Sequence, residues 1–236
     1  MRFRNAVLSA LSKADLAALS PHLTEIYLNK SDVLLEDGER VTDVYFPSSA
    51  VISQAVVLAD GRMVEVSTVG VEGVVGVLQC LIDAPATAQA FAQIPGGAVK
   101  LKASLLRQQA LASPSLLNLL HRRIAAANIQ AEQGSACNAL HPAPGRLARW
   151  LLMTEDRVGG SEFALTQDYM AVMVGVQRTT ISATALQLRE KGLIRYSRGQ
   201  VRILDRKGLE AEACECYALI HEHTRLVGVD DPALPV

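Results

Sequence analysis

Hydrophobic positions change period three times along the chain. In the first 25 residues Leu16 and Leu19 share one helical face, and Ser12 with Asp15 three residues on has the form of a capping box. From Ile26 to about Leu101 short β-rich runs alternate with turn residues: Val33-Leu34-Leu35 before Asp37-Gly38, and Val44-Tyr45-Phe46 before Pro47-Ser48. Ala55–Leu58 and Met63–Val66 flank Asp60-Gly61, which predicts a hairpin with a type I′ turn, φ being positive at both central positions. Short strands at such even spacing predict a small barrel or sandwich.

Helical period returns after Lys102. Pro114 suits a first helical turn, and a long helix is predicted over 115–138. Leu117, Leu120, Ile124, Ala127, Ala131 and Gly134 recur along it at three- and four-residue spacing, an a/d-like seam. Such a seam can pack on the chain's own barrel. Its length and its small later residues favour a second copy of the chain, so these six are the expected dimer interface. Pro142 and Pro144 are expected to break the helix. Three parts follow: a β-rich barrel or sandwich with its leading helix over 1–112, a dimerisation helix over 113–140 and a C-terminal domain over 141–236. In the last part, Arg146–Met153 reads as an amphipathic helix carrying the sole tryptophan, Trp150. Gly159-Gly160 is a turn, and Thr166 caps a helix running through Met173. Val174-Gly175-Val176 connects it tightly to a second helix, Gln177–Glu190, ended by Gly192. Strands Leu193–Tyr196 and Val201–Leu204 flank Ser197-Arg198-Gly199-Gln200, and one final helix starts near Lys207.

Two short helices joined by a glycine-containing turn form a helix-turn-helix, and the hairpin after them reads as a wing. Ile181, Ala185 and Leu188 make the inward stripe of the second helix, leaving Gln177, Arg178, Thr179 and Ser182 outward near its N-terminus. That end enters the major groove in helix-turn-helix proteins. Arg can fork onto guanine O6 and N7, Gln can pair with adenine, and Thr and Ser suit phosphate or base. Charge changes the picture further. The chain is near neutral overall, at −1, but between Val176 and Lys207 it carries eight Lys or Arg against two acids. From Gly208 onward one Arg faces six acids. A basic patch over helix and hairpin is the footprint of phosphate-backbone binding, with Arg198 reaching out from the wing tip.

Composition sets the outer limits. Half the residues are hydrophobic and a fifth charged, which supplies a core and argues against disorder. Four scattered cysteines make no disulfide framework. No apolar run follows Arg2 and Arg4, and Val66–Ile82 is interrupted by Glu72 and glycines, so neither a signal peptide nor a membrane span is expected. A soluble cytoplasmic protein is the expectation. No paired carboxylates, Ser/His/Asp set or phosphate loop suggests an enzyme, and Gly70, Gly73 and Gly76 lack dinucleotide spacing. Cys214, Cys216, His221 and His223 raise the question of a metal. On one continuous helix Cys214 would align with His221 and Cys216 with His223, so a single tetrahedral set would require unwinding. No metal is expected there, and Cys216 with Leu209, Ala213 and Ile220 reads as a packing stripe.

The stretch Leu165-Thr166-Gln167-Asp168, Gly175-Val176-Gln177-Arg178-Thr179-Thr180-Ile181-Ser182 and Lys191-Gly192-Leu193-Ile194 resembles the winged helix of the CRP/FNR superfamily of bacterial transcription regulators. The resemblance covers nearly the whole chain. It implies an α+β fold: an N-terminal antiparallel β-roll of the cyclic-nucleotide-binding, jelly-roll-like type, a long dimerisation helix and a C-terminal winged helix-turn-helix. It implies that Arg178 reads guanine, that Thr166 and Thr180 contact phosphate, and that Gln167 lies in the same interface. Where the family often has Glu and Arg, this chain has Thr179 and Ala183, which puts the family's common half-site in doubt. Double-stranded DNA, a second copy of the chain and RNA polymerase are the expected partners. A ligand-binding sensor whose winged helix contacts protein is the alternative.

The family's cyclic-nucleotide pocket resembles Gly73-Val74-Val75-Gly76 and Ala86-Thr87-Ala88. Here Val74 stands for the ribose-binding Glu and Ala86 for the phosphate-binding Arg. A buried phosphate without its counter-charge is costly, so cyclic AMP is not the expected effector. Glu72, Gly73, Val74, Gly76 and Thr87 are the candidate effector pocket, with Glu72 expected as a solvated loop charge. No Cys precedes Cys80, so the family's N-terminal iron–sulfur ligands are missing, and no haem signature is seen. The effector is left open.

Overall fold

The structure is a computed structural model and describes residues 3–228. Helices α1 (Ala6–Ser9) and α2 (Lys13–Leu19) open the chain. The Ser12 hydroxyl accepts from the Asp15 N–H at 3.1 Å and donates to the Asp15 carboxylate at 2.7 Å, so the cap is made in one direction only. The roll is two antiparallel sheets. One has the order β1 (Thr24–Leu28), β7 (Gly96–Lys102), β3 (Asp43–Pro47); the other β2 (Val33–Leu35), β6 (Gln89–Ile94), β4 (Val51–Val57), β5 (Met63–Val69). Helix α3 (Val77–Ile82) follows the glycine-rich loop 70–76.

The β4–β5 hairpin falls where the sequence places it, but its turn is of another kind. Gly61 donates its N–H to Leu58, Leu58 donates to Arg62, and Gly61 alone has a positive φ, 82°. A type I turn followed by a left-handed glycine accommodates the longer loop and keeps the strand twist.

Helix α4 (Ala103–Ala112) leads into the 27-residue α5 (Pro114–Leu140), capped by the Ser113 hydroxyl on the Leu116 N–H. The expected dimer seam divides along its length. Leu120 is sealed, with no exposed surface, in the sensor core beside Val44, Phe46, Leu101 and Leu106, and Leu117 and Ile124 pack against that core. Leu120 is therefore no interface residue: its own barrel covers it. Ala127 and Ala131 line a cavity, and a Cβ added at Gly134 would meet nothing within 4 Å.

Helix α6 (Ala143–Val158) begins sooner than expected, and Pro144 does not break a helix. It sits in the first turn of α6, where a missing N–H costs nothing. Helix α6 is amphipathic as its pattern predicts, yet every residue from Gly145 to Thr154 is buried, polar ones included. Its hydrophobic side joins a second core with α7 (Gln167–Val174), α8 (Arg178–Glu190), β9 (Ile194–Ser197) and β10 (Gln200–Ile203). The roll contributes Val51, Ala55, Phe91 and Ile94 to that core. A third strand, β8 (Glu162–Ala164), pairs with β10 and widens the wing. The chain then runs through two helices, not one: α9 (Arg206–Glu212) and α10 (Cys216–Leu226), broken at residues 213–215. Among the described residues no helix is long and apolar enough to cross a membrane.

Candidate functional site

Thr166 caps α7 by accepting from the Tyr169 N–H at 3.4 Å, and the turn through Gly175 redirects the chain into α8. Gln177 stands at the N-cap of α8 without a side-chain cap bond, so the first-turn N–H groups remain available to an outside acceptor. Ile181, Ala185 and Leu188 are buried, as their spacing predicts, and Gln177, Arg178, Thr179 and Thr180 are exposed side by side. Arg178 lies 3.3 Å from Asp168 of α7 with both side chains about two-thirds exposed, a pair that solvent weakens and that a phosphate or base can displace. Ser182 differs from expectation. It is half-buried, and its hydroxyl has the Gln167 side-chain oxygen at 2.8 Å and the Arg178 carbonyl at 3.0 Å as acceptors. It braces Gln167 across the two helices instead of presenting its hydroxyl outward.

In the wing, Arg198 is exposed at the β9–β10 turn with φ 49°, the left-handed region such a two-residue turn requires. The Leu165 N–H donates to the Gly199 carbonyl at 2.7 Å, which fixes the turn beside Thr166. Thr166, Gln167 and Arg198 are thereby brought to one end of the domain, next to the start of α8. Arg189, Arg195, Arg202 and Lys207 are exposed, while Lys191 pairs with Glu212 at 2.6 Å. Arg206 leaves the basic patch. It is held internally by Glu155 (2.7 Å), Asp156 (2.8 Å), Glu210 (3.0 Å) and the Tyr217 hydroxyl (2.6 Å).

The five pocket residues, Glu72, Gly73, Val74, Gly76 and Thr87, line one cavity of about 340 Å³. Its far wall comes from α5 (Arg123, Ile124, Ala127), α6 (Met153, Arg157) and α10 (Ile220, His221). Val74 and Ala86 are buried and put apolar groups on the cavity wall. Glu72 is no solvated loop charge. Its Oε1 accepts from Arg157 Nε at 2.8 Å and from the Gly70 N–H at 3.1 Å, and the two side chains are only 16% and 6% exposed. Arg157 also donates to the Met153 carbonyl and to Gln130 of α5. Sequence reasoning missed Arg157, because periodicity marks it only as part of a helix and its partner lies 85 residues away.

Two further ties join the roll to the C-terminal helices. Glu65 accepts from Trp150 Nε1 at 2.9 Å and from the Ser53 hydroxyl at 2.7 Å, and burial pushes its carboxyl above the usual range. Tyr169 of α7 shares a 2.7 Å hydrogen bond with Ser31 and lies under the Lys30 ammonium, 4.6 Å from its ring centre. On the cavity wall, burial pushes His221 down to about 4, reinforced by the cations Arg157, Arg225 and Arg206.

Residues 145–212 match the Crp-like helix-turn-helix domain. The chain is 24% identical to a CRP-like cAMP-activated global transcriptional regulator of Mycobacterium tuberculosis, over 89% of this chain and 97% of that protein. Its fold is similar to a crp/fnr-family transcriptional regulator of Eubacterium rectale (TM-score 0.69, 17% identity, 88% of this chain and 97% of the other). It is also similar to a CRP-family transcriptional regulator of Thermus thermophilus (TM-score 0.68, 20% identity, 80% of this chain and 96% of the other). An antiparallel roll, a long helix and a Crp-like helix-turn-helix domain thus follow one another along the chain, in a fold similar to that of these regulators.

Proposed function

We propose that the protein acts in the cytoplasm as a homodimer that reads a near-palindromic DNA site, under control of an effector held in the sensor cavity. The observation that carries this reading is the exposed first turn of α8, where Gln177, Arg178, Thr179 and Thr180 stand together beside the Arg198 wing. Arg178 is the guanine reader; Thr166 and Thr180 contact phosphate; Gln167, braced by Ser182, contributes a side-chain amide to the same face. Two copies related by a two-fold axis would place their α8 helices in major grooves about 34 Å apart. Self-association falls to the second half of α5, around Ala127, Ala131 and Gly134, which its own barrel does not seal. RNA polymerase is the protein partner expected of a promoter-bound dimer.

The effector is of another class than cyclic AMP. The mycobacterial relative is described as cAMP-activated, whereas this cavity has Val74 and Ala86 where a cyclic nucleotide needs charge. Isothermal titration is expected to give no micromolar affinity for cyclic AMP.

Selection from a random DNA pool by the full-length, ligand-free protein tests the reading, with Arg178→Ala beside it. An enriched near-palindrome is expected. The variant loses about 1–3 kcal/mol and relaxes one position per half-site. Binding falls steeply as salt rises, because phosphate contacts release counterions. No enrichment either alone or in cell extract, or a flat salt response, refutes it.

A further inference from the structure

The break between α9 and α10 creates an arrangement that a continuous helix would forbid. Cys137 and His141 lie four residues apart in the last turn of α5 and its cap, and so share a face. Cys214 and Cys216 come to the same place from the break. The three sulfurs and one imidazole nitrogen all lie within 4.8 Å of one another; Cys137 Sγ is 3.4 Å from Cys214 Sγ, and Cys216 Sγ is 3.3 Å from His141 Nδ1. We propose that Cys137, His141, Cys214 and Cys216 form a closed, tetrahedral zinc site that staples the end of the long helix to the C-terminal helices.

The spacing suits a single small ion. Zn–S bonds of about 2.3 Å give a tetrahedron with edges of about 3.8 Å, close to the separations here. Atoms this near one another leave no room for the irons and sulfides of a polynuclear cluster. Three cysteines and one histidine form a donor set of structural zinc sites, and soft thiolates disfavour magnesium, calcium and manganese.

The surroundings are built for the set. Cys137 and Cys216 have no exposed surface. The backbone of Cys214 crosses α6 at Gly145, donating its N–H to the Gly145 carbonyl at 3.3 Å. A Cβ at position 145 would stand 3.3 Å from that nitrogen, so glycine is what admits the strand of chain carrying Cys214. Gln133 donates its amide N–H to Cys216 Sγ at 3.1 Å, and Glu215 lies 3.9 Å from His141 Nε2, leaving Nδ1 toward the sulfurs. Such outer contacts orient ligands in metal sites. On binding, each of the three thiols gives its proton to the buffer and the ion takes four donor lone pairs, with no change of oxidation state. The site bridges α5 to the loop lying on α6, at the joint between sensor and reader.

The experiment uses full-length, tag-free protein, reduced and stripped with chelator, titrated with Co²⁺ and then Zn²⁺. Saturation at one equivalent per chain is expected, with thiolate-to-cobalt charge transfer, the intense visible bands of tetrahedral cobalt, and displacement by Zn²⁺. Cys214→Ser, at a half-buried position, and His141→Gln are each expected to weaken binding at least about 10-fold with the circular dichroism unchanged. Cys80→Ser, in the sensor, leaves it unaltered. If Cys214→Ser fails to fold, His141→Gln alone decides. The proposal is overturned by an octahedral cobalt spectrum, by absence of charge transfer in the folded, reduced protein, or by Cys80→Ser reducing binding as much as Cys214→Ser. A Cys137–Cys214 disulfide that reforms on reoxidation in a chain that takes no cobalt when reduced overturns it as well.

Discussion

Replacing Glu72 by Gln removes one charge from the sensor loop while keeping its shape. Oε1 of Glu72 serves two donors, Arg157 Nε and the Gly70 N–H, and a glutamine oxygen in the same place serves both. What is lost is the difference between charge-assisted and neutral hydrogen bonds, about 1–1.5 kcal/mol for each bond. Among the described residues Glu72 Oε2 is buried without a hydrogen-bond partner in the protein, so the new NH₂ group gains no acceptor there. The expected total for Glu72→Gln is about 2 kcal/mol. Glu72→Ala strips the acceptor from a guanidinium only 6% exposed, and breaking a buried pair in that way costs about 3–5 kcal/mol. The carbonyl of Met153 and the side chain of Gln130 still hold Arg157, which places the alanine variant at the lower end. Urea unfolding of both variants, and of each combined with Arg157→Met, measures the effect and the coupling. Additive single effects, or a change below about 0.5 kcal/mol for both variants, would refute the pair as the tie between sensor loop and α6.

The remaining expectations concern protons and the basic patch. Unfolded His221 binds a proton below about pH 6.5 and the folded imidazole only below about 4, so stability falls as pH drops through that window. Between pH 7.5 and 5 the loss is about 2 kcal/mol; His221→Gln should abolish that share of the urea-midpoint shift, and an identical pH response in the variant contradicts the assignment. Arg206→Met leaves Asp156, whose side chain is 3% exposed, without its cation and should cost about 3 kcal/mol of stability with the salt slope of DNA binding unchanged. Arg198→Ala should do the reverse: an unchanged melting temperature, weaker DNA binding and a salt slope smaller by about one. A stable Arg206→Met that has lost DNA affinity would return Arg206 to the interface.

The reader was largely legible because its signals are local. Ile181, Ala185 and Leu188 name an inward stripe within one helix, and Arg198-Gly199 names a turn within four residues. Where partners are remote the same logic stops. Periodicity marks Leu120 as apolar but does not say whether its own barrel or another chain covers it; the barrel does. Glu72 sits in a glycine-rich loop that reads as surface, and only the folded chain brings Arg157 over it. The break between α9 and α10 falls at Ala213-Cys214-Glu215, with neither glycine nor proline to announce it. A continuous helix was the reasonable expectation, and on it the four donors of the cysteine cluster could not meet. The five candidate pocket residues share one cavity, whereas the wall supplied by α5, α6 and α10 has no signal in the sequence.

The second core draws Val51, Ala55, Phe91 and Ile94 from the roll and Leu147, Met170 and Ile181 from the helices beyond it. The roll and the winged helix are thus not interchangeable modules on a string. A C-terminal fragment cut at the α5–α6 junction would present the bare side of α6 and α7 to water, inviting aggregation. Heating the intact chain should melt both parts in one cooperative transition rather than two. A chimera that grafts this winged helix onto a foreign roll would have to bring those four roll side chains along.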